Sequence, residues 1–289
     1  MTTVGLVSPG HMGSGLGWAL REGGARVVTT VAGRSERTRR LAGAAGLELL
    51  PGLHEVVAEA DVVLSVTPPG DSLSAARDIA GALRATGSRA VVADLNAVSP
   101  ATMTAVAQEL SPAHVVDGAI SGAPPIVHPG ARIFLSGEHA ATIADLPWGG
   151  KVQPIIVGPK IGAASATKMC TAGVYKGLGA LLTQAIRTAG HHDVLDAVVA
   201  DLARNDVAHL AGVVSSATKA DRFADEMREI ATTQAGAGLT PDLFTAIAAV
   251  YLDVATTALA EGDPETTDFN LPAAEIVSRL SHPRTAPPT

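Results

Sequence analysis

The sequence predicts an α/β fold in which a doubly wound, mainly parallel sheet is followed by an all-α C-terminal domain. Three observations carry this. In the first half, short apolar runs alternate with Ala-rich stretches of helical length, the order that builds βαβ units. A glycine-rich turn follows the first of those runs. Beyond about Gly158 strand-like runs disappear, and apolar residues recur at helical spacing.

In chain order, strands are expected at Val4–Val7, Arg26–Val31, Asp61–Val66, Ala90–Leu95, His114–Asp117 and Arg132–Leu135. Several of these are near-continuous apolar runs, as a strand buried on both faces of a parallel sheet requires. Helical periodicity then runs through Val174–Ile186, Val194–Leu202, Met227–Ile230 and Leu243–Leu259. The expected domains are residues 1–159 and 160–289, divided at the turn Gly158-Pro159-Lys160-Ile161-Gly162, with His282–Thr289 as a frayed tail.

Of 289 residues, 47% are hydrophobic and 17% charged, which excludes a chain that is mainly disordered. Lys and Arg number 21 against 28 Asp and Glu, and the resulting charge of −7 argues against a nucleic-acid partner. Cys170 is the only cysteine, so neither an intramolecular disulfide nor a thiolate zinc cage can form. No signal-like segment opens the chain and no apolar stretch reaches about 18 residues. These features lead us to expect a cytoplasmic protein with no membrane partner.

The turn after the first strand reads Ser8-Pro9-Gly10-His11-Met12-Gly13, ahead of an expected helix Leu16–Glu22. It is a dinucleotide fingerprint of Rossmann type with one departure. Gly10 sits where backbone must approach a pyrophosphate and Gly13 where helix and strand must pack closely, but Ser8 replaces the first glycine. All six residues are therefore expected at the cofactor, whose phosphates would face a helix N-terminus. Thr67 and Pro68, which follow the run Asp61–Val66, complete that set. After the second strand no acid is present to bond the ribose hydroxyl of NAD. The segment Ala32-Gly33-Arg34-Ser35-Glu36-Arg37 instead offers Arg34, Ser35 and Arg37 to a 2′-phosphate, so NADP is the expected cofactor.

Lys168 lies among small residues, Gly162-Ala163-Ala164-Ser165-Ala166-Thr167-Lys168-Met169-Cys170-Thr171-Ala172. Small neighbours allow close packing around the ammonium, and desolvation draws a lysine towards neutral pKa, where it can serve as acid and base. On one continuous helix Lys168, Thr171, Ala172 and Tyr175 share a face. Cys170 reads as a small packing residue beside the lysine, and Asp94 as an acid that bonds loop N–H groups at a strand end, with a catalytic role as its alternative.

These segments together resemble the β-hydroxyacid dehydrogenase superfamily, including 6-phosphogluconate dehydrogenase-like proteins, over nearly the whole chain. Gly5–Gly13 resembles its cofactor loop, Val92–Pro100 its D-x-S-T-x-x-P turn, Asp117–Ala123 its substrate loop D-A-P-V-S-G-G, and Gly162–Lys168 the start of its G-x-G-x-x-x-K helix. The resemblance implies Lys168 as the catalytic lysine and Ser121 with Gly122 as the carboxylate-binding loop. It adds Asn96 and Thr171 as substrate-binding residues and Tyr175 at the place of a second acid. Thr171 and Ala172 replace the family's paired amides, which departs from its substrate-holding pattern.

The expected function is an NADP-dependent oxidoreductase interconverting a small 3-hydroxy acid and its 3-oxo acid, acting as a homodimer. An NADPH-dependent imine reductase, with Tyr175 as proton donor, is the nearest alternative; a non-enzymatic nucleotide-responsive regulator is a second. No metal site is expected, because His191, His192 and His209 do not form a helical ligand pair with a general base.

Overall fold

The computed structural model describes residues 1–285. Its compact units are Met1–Met169 and Cys170–Thr289. The first holds β1 (Thr3–Val7), α1 (His11–Glu22), β2 (Arg26–Thr29), α2 (Glu36–Ala44), β3 (Glu48–Leu49), α3 (Leu53–Glu59), β4 (Val62–Ser65) and α4 (Ser72–Thr86). It continues through β5 (Val91–Asp94), α5 (Pro100–Leu110), β6 (Val115–Ser121), β7 (Ala131–Ser136), α6 (Ala140–Ala144) and β8 (Val152–Gly158) into α7 (Ala163–His191).

One eight-stranded sheet has the order β3-β2-β1-β4-β5-β6-β7-β8. Its pairs are parallel except β6 with β7. The chain moves outward from β1 in one direction, then returns to start β4 on its other side. This reversal opens a crevice at the carboxyl ends of β1 and β4, the place where doubly wound sheets bind nucleotides. Within the apolar runs, alternate side chains serve opposite faces: Val4, Leu6, Val62 and Leu64 join one core with Leu16 and Leu20 of α1, while Val7 and Val63 join another with Val57 of α3 and Ile79 of α4.

All six expected strands are present. β6 extends to Ser121, four residues beyond the expected end, because it pairs antiparallel with β7 from Asp117↔Ser136 to Ser121↔Arg132. Two strands were not expected. β3 has only two residues, too few to show a period, and β8 (VQPIIVG) carries a proline and an exposed apolar run at the edge of the sheet. Helix α1 starts at His11, five residues before the expected start, so the second half of the fingerprint is helical.

The second unit begins within α7 and continues with α8 (Leu195–Arg204), α9 (Leu210–Ala217), α10 (Ala220–Gly236), α11 (Asp242–Ala255) and α12 (Ala273–Ser281). No strand occurs in it among the described residues. The expected helix Leu243–Leu259 ends at Ala255 and resumes as a 3-10 turn, Ala258–Ala260. Glycines let α11 approach α7: a Cβ on Gly173 would lie 3.1 Å from the Phe244 ring, and one on Gly177 3.7 Å from Ile247. Tyr251 of α11 is buried and its hydroxyl donates to the carbonyl of Lys176 at 2.7 Å.

The division at Met169 falls ten residues later than the expected boundary, because the first turns of α7 are bound to the sheet of the first unit. The expected tail is also shorter. His282 to Thr285 are tied down, with Ala258 N–H donating to the carbonyl of His282 at 2.8 Å and Thr285 N–H to Glu261 at 2.6 Å. The remainder of the tail lies outside the described residues.

Candidate functional site

The fingerprint turn connects β1 to α1 at the reversal of the sheet. Ser8 has φ +71°, a left-handed backbone conformation that glycine adopts freely and serine at a cost. Ser8 therefore holds a backbone conformation that favours the glycine it replaces in the fingerprint. Gly13 is required by packing, since a Cβ there would lie 2.3 Å from the carbonyl oxygen of Ser8. At Gly10 a Cβ would meet nothing within 4 Å among the described residues, so they leave the space above the turn open. Gly10 is the N-cap of α1 and supplies no side-chain cap, which leaves the first-turn N–H groups without that local acceptor.

Across the crevice, Thr67 follows β4. Its N–H donates to Asn96 Oδ1 at 2.6 Å, while its buried hydroxyl has no hydrogen-bond partner among the described residues. An open cradle over a helix N-terminus and an orphaned hydroxyl opposite fit a dinucleotide. Pro68 is exposed beside Thr67. At the end of β2, Arg34 is exposed and Arg37 half-buried on the first turn of α2. Ser35 is the N-cap of α2, its Oγ accepting from Thr38 N–H at 3.3 Å, so its hydroxyl is partly committed to the helix.

Behind the crevice lie two buried carboxylates, Asp94 and Asp117, in register on β5 and β6. Asp94 accepts from the N–H of Asn96 at 3.1 Å and from its side-chain amide at 2.8 Å. Asp117 Oδ2 accepts from Ser136 Oγ at 2.8 Å and from the N–H groups of Gly162, Ala164 and Ser165 at 2.8, 3.0 and 3.2 Å. Its Oδ1 accepts from Ser165 Oγ at 2.7 Å.

Ser121 ends β6, and Gly122 follows at φ +133°, with a hypothetical Cβ 3.0 Å from Ala131 Cα. Both conformation and space thus demand glycine there. Lys168 is half-buried on the second turn of α7, and Thr171 and Tyr175 lie further along the same continuous helix.

Residues 3–146 match the profile of the NAD binding domain of 6-phosphogluconate dehydrogenase, and residues 189–254 match DUF1932, a domain of unknown function. The chain belongs to the β-hydroxyacid dehydrogenase superfamily, which includes 6-phosphogluconate dehydrogenase-like proteins. Among solved structures, it is similar to a conserved protein of unknown function described as structurally similar to 3-hydroxyacid dehydrogenases (27% identity, TM-score 0.64, 87% of this chain and 96% of that one). The 3-hydroxyisobutyrate dehydrogenase of Mycobacterium tuberculosis shares the fold (20% identity, TM-score 0.67, 97% and 99% of the two chains). So does the imine reductase of Streptomyces aurantiacus (17% identity, TM-score 0.53, 87% and 93%).

This superfamily member carries a nicotinamide-dinucleotide domain, and two site expectations for it need correction. Asn96 is buried, with its amide donating to Asp94 and, at 3.4 Å, to Ser65 while its carbonyl accepts from Thr67. It braces the loops after β4 and β5 instead of facing a substrate. Cys170 is exposed, not packed beside Lys168. Tyr175 is 71% exposed. Asp94 bonds loop groups as expected. Among the described residues no group of three or more His, Cys, Asp or Glu is arranged to hold a metal, and no helix is long and apolar enough to cross a membrane.

Asp117 was missed by sequence reasoning. An acid within the apolar run Val115-Val116-Asp117 is the signal that marks it, since a buried carboxylate needs donors that only tertiary structure supplies.

Burial pushes the Asp94 carboxyl up to about 7; the charge of Asp117 pushes the same way, while the hydrogen bonds from Asn96 oppose it. A carboxyl whose pKa rises on folding binds its proton more tightly in the native state. Its stabilising contribution is complete below the unfolded value near 4 and is lost as pH climbs through about 7. Urea titrations should show a fall of about 1–3 kcal/mol between pH 5 and 8 that Asp94→Asn reduces. An unchanged slope in a folded Asp94→Asn variant would reject the assignment.

Proposed function

We propose that the protein is an NADP-dependent oxidoreductase that interconverts a small 3-hydroxy acid and its 3-oxo acid. One observation carries the reading: the half-buried Lys168 stands on the helix whose first turn is bonded to β6, the strand that ends in the Ser121-Gly122 loop. An amine and an anion-binding turn held on the same part of the scaffold suit a hydroxy acid, which presents a carboxylate and a reacting hydroxyl.

In this reading Ser121 Oγ and the backbone N–H groups after it bind the carboxylate. Lys168 Nζ gives a proton to the carbonyl oxygen in reduction and takes it from the hydroxyl in oxidation. Thr171 and Tyr175, beyond it on α7, contact the rest of the substrate. The cofactor, when bound, supplies or accepts the hydride. Its pyrophosphate is held by Ser8–Gly13, and Thr67 with Pro68 borders it. Absorbance at the NADPH band, followed with 3-hydroxyisobutyrate, L-serine, their oxo acids and cyclic imines in parallel, tests the class. Turnover confined to the imines would replace the hydroxyacid reading with imine reduction, and stoichiometric binding without turnover would favour a regulator.

The cofactor preference rests on Arg34 and Arg37, with no acid among Thr30–Ser35 to receive a ribose hydroxyl. NADPH should bind at least about tenfold more tightly than NADH, equivalent to about 1.4 kcal/mol. Calorimetry on Arg34→Ala should show most of that preference gone; equal constants for the two nucleotides in the unaltered protein would overturn it.

The protein is further proposed to be a homodimer. Val174, Leu178 and Leu181 of α7, at helical spacing, are 60%, 52% and 61% exposed and form an apolar stripe beside Tyr175. A second copy of the same helical unit is the occupant best suited to cover it, since a two-fold contact matches a stripe with itself. Light scattering should report twice the chain mass at micromolar concentration, and Leu178→Glu should yield monomers. A 29.1 kDa species in the unaltered protein would reject the dimer.

A further inference from the structure

Helices are ordinarily capped by a residue next to them in sequence. At α7 the acceptor comes from 45 residues away: Asp117, fully buried on β6, collects the N–H groups of Gly162, Ala164 and Ser165 together with the hydroxyls of Ser136 and Ser165. Ser136 Oγ adds a bond of its own, accepting from Ala164 N–H at 3.1 Å. The first turn of α7 is thereby held to two neighbouring strands, β6 and β7, whose paired residues are Asp117 and Ser136. Gly162, at φ +99°, turns the chain into this position with little room to spare, since a Cβ would sit 3.2 Å from Pro100 Cβ.

A buried carboxylate carries a large desolvation cost, and here it is met by donors converging on two oxygens at the positive end of a helix. A surface serine cap would satisfy the same N–H groups more cheaply. What a cap from the sheet adds is registration. Lys168 lies three residues beyond Ser165, a rise of about 4.5 Å along the axis. Ser121 lies four residues beyond Asp117 on β6, about 13 Å along the strand. One side chain therefore ties the strand that ends in the anion-binding turn to the helix that carries the amine.

We infer that Asp117 is a positioning residue: through the first turn of α7 it fixes where the Lys168 amine stands relative to the Ser121-Gly122 loop. This rests on the reading of Lys168 as the acid/base, although its effect on the amine can be measured without a substrate.

The test is acetylation of the NADPH-loaded protein by trace acetic anhydride, with the Lys168 peptide quantified by mass spectrometry against the peptide of exposed Lys160. Asp117→Asn keeps the shape and one acceptor while removing the charge. In folded protein it should raise the Lys168-to-Lys160 labelling ratio at least threefold. Ser165→Ala, which removes only the bond to Oδ1, should give a smaller rise. A residue serving stability alone would lower the unfolding midpoint and leave the ratio where it was. An unchanged ratio in folded Asp117→Asn overturns the inference; if that variant does not fold, an unchanged ratio in Ser165→Ala does so. Failure of the acid/base reading looks different, because turnover would then survive Lys168→Met whatever the labelling ratio shows.

Discussion

If the proposed function holds, Lys168→Met should lower turnover by about 10²–10⁴-fold while leaving NADPH affinity nearly unchanged, because that reading makes Lys168 the proton relay and assigns the phosphates to the β1–α1 turn and the start of α2. Methionine keeps most of the volume of the lysine stem, so the half-buried position remains filled and the loss reports the amine. Tyr175→Phe should cost much less. Its side chain is largely exposed in the single chain, and two helical turns, about 10.5 Å along the axis, separate it from Lys168. Steady-state kinetics with the compound identified by the substrate panel, paired with NADPH titration, separates the two effects. The opposite pattern, with imine reduction abolished in Tyr175→Phe and retained in Lys168→Met, would transfer the chemistry to the phenol and sink the hydroxyacid reading.

The second large effect concerns stability of the helical unit. Glu226 of α10 is 4% exposed and forms ion pairs with Lys176 of α7 and, at 3.4 Å, with Arg222. The Lys176 ammonium also lies 4.1 Å from the centroid of the Phe223 ring, and that ring meets Tyr251 edge-on at 5.5 Å. Glu226→Ala would leave the Lys176 charge in a site where water is scarce, and removing one partner of a buried pair typically costs about 3–5 kcal/mol. Urea denaturation should show a loss of that order. The double variant Lys176→Met/Glu226→Leu should recover much of it, since apolar groups of similar volume need no charge compensation there. A cost below about 1 kcal/mol for Glu226→Ala would mean that the pair is effectively solvated.

Local pattern was sufficient for much of the molecule. The expected strands are all present because each is a short apolar run whose alternate residues feed opposite faces of the sheet. The fingerprint was legible because backbone conformation at Ser8 and space at Gly13 are requirements of a turn between adjacent elements, expressed within six residues. The strands β3 and β8 were hidden for different reasons: the first is too short to show a period, and the second is an edge strand with exposed apolar residues and a proline. The helical pattern of the second unit was legible as a class but not in its ends, since α9 and α12 are short and α11 breaks where the chain turns into a 3-10 segment.

The sequence by itself determined the class of fold, the place of the dinucleotide turn and the candidacy of Lys168, because each depends on residues adjacent in the chain. Tertiary structure alone decided that Asn96 is a brace, that Cys170 faces outward, and that α7 begins as part of the first unit. It also decided the place of Asp117, whose donors come from 19 to 48 residues away. A buried carboxylate must find hydrogen bonds wherever the fold brings them, and no spacing along the chain records which groups those will be.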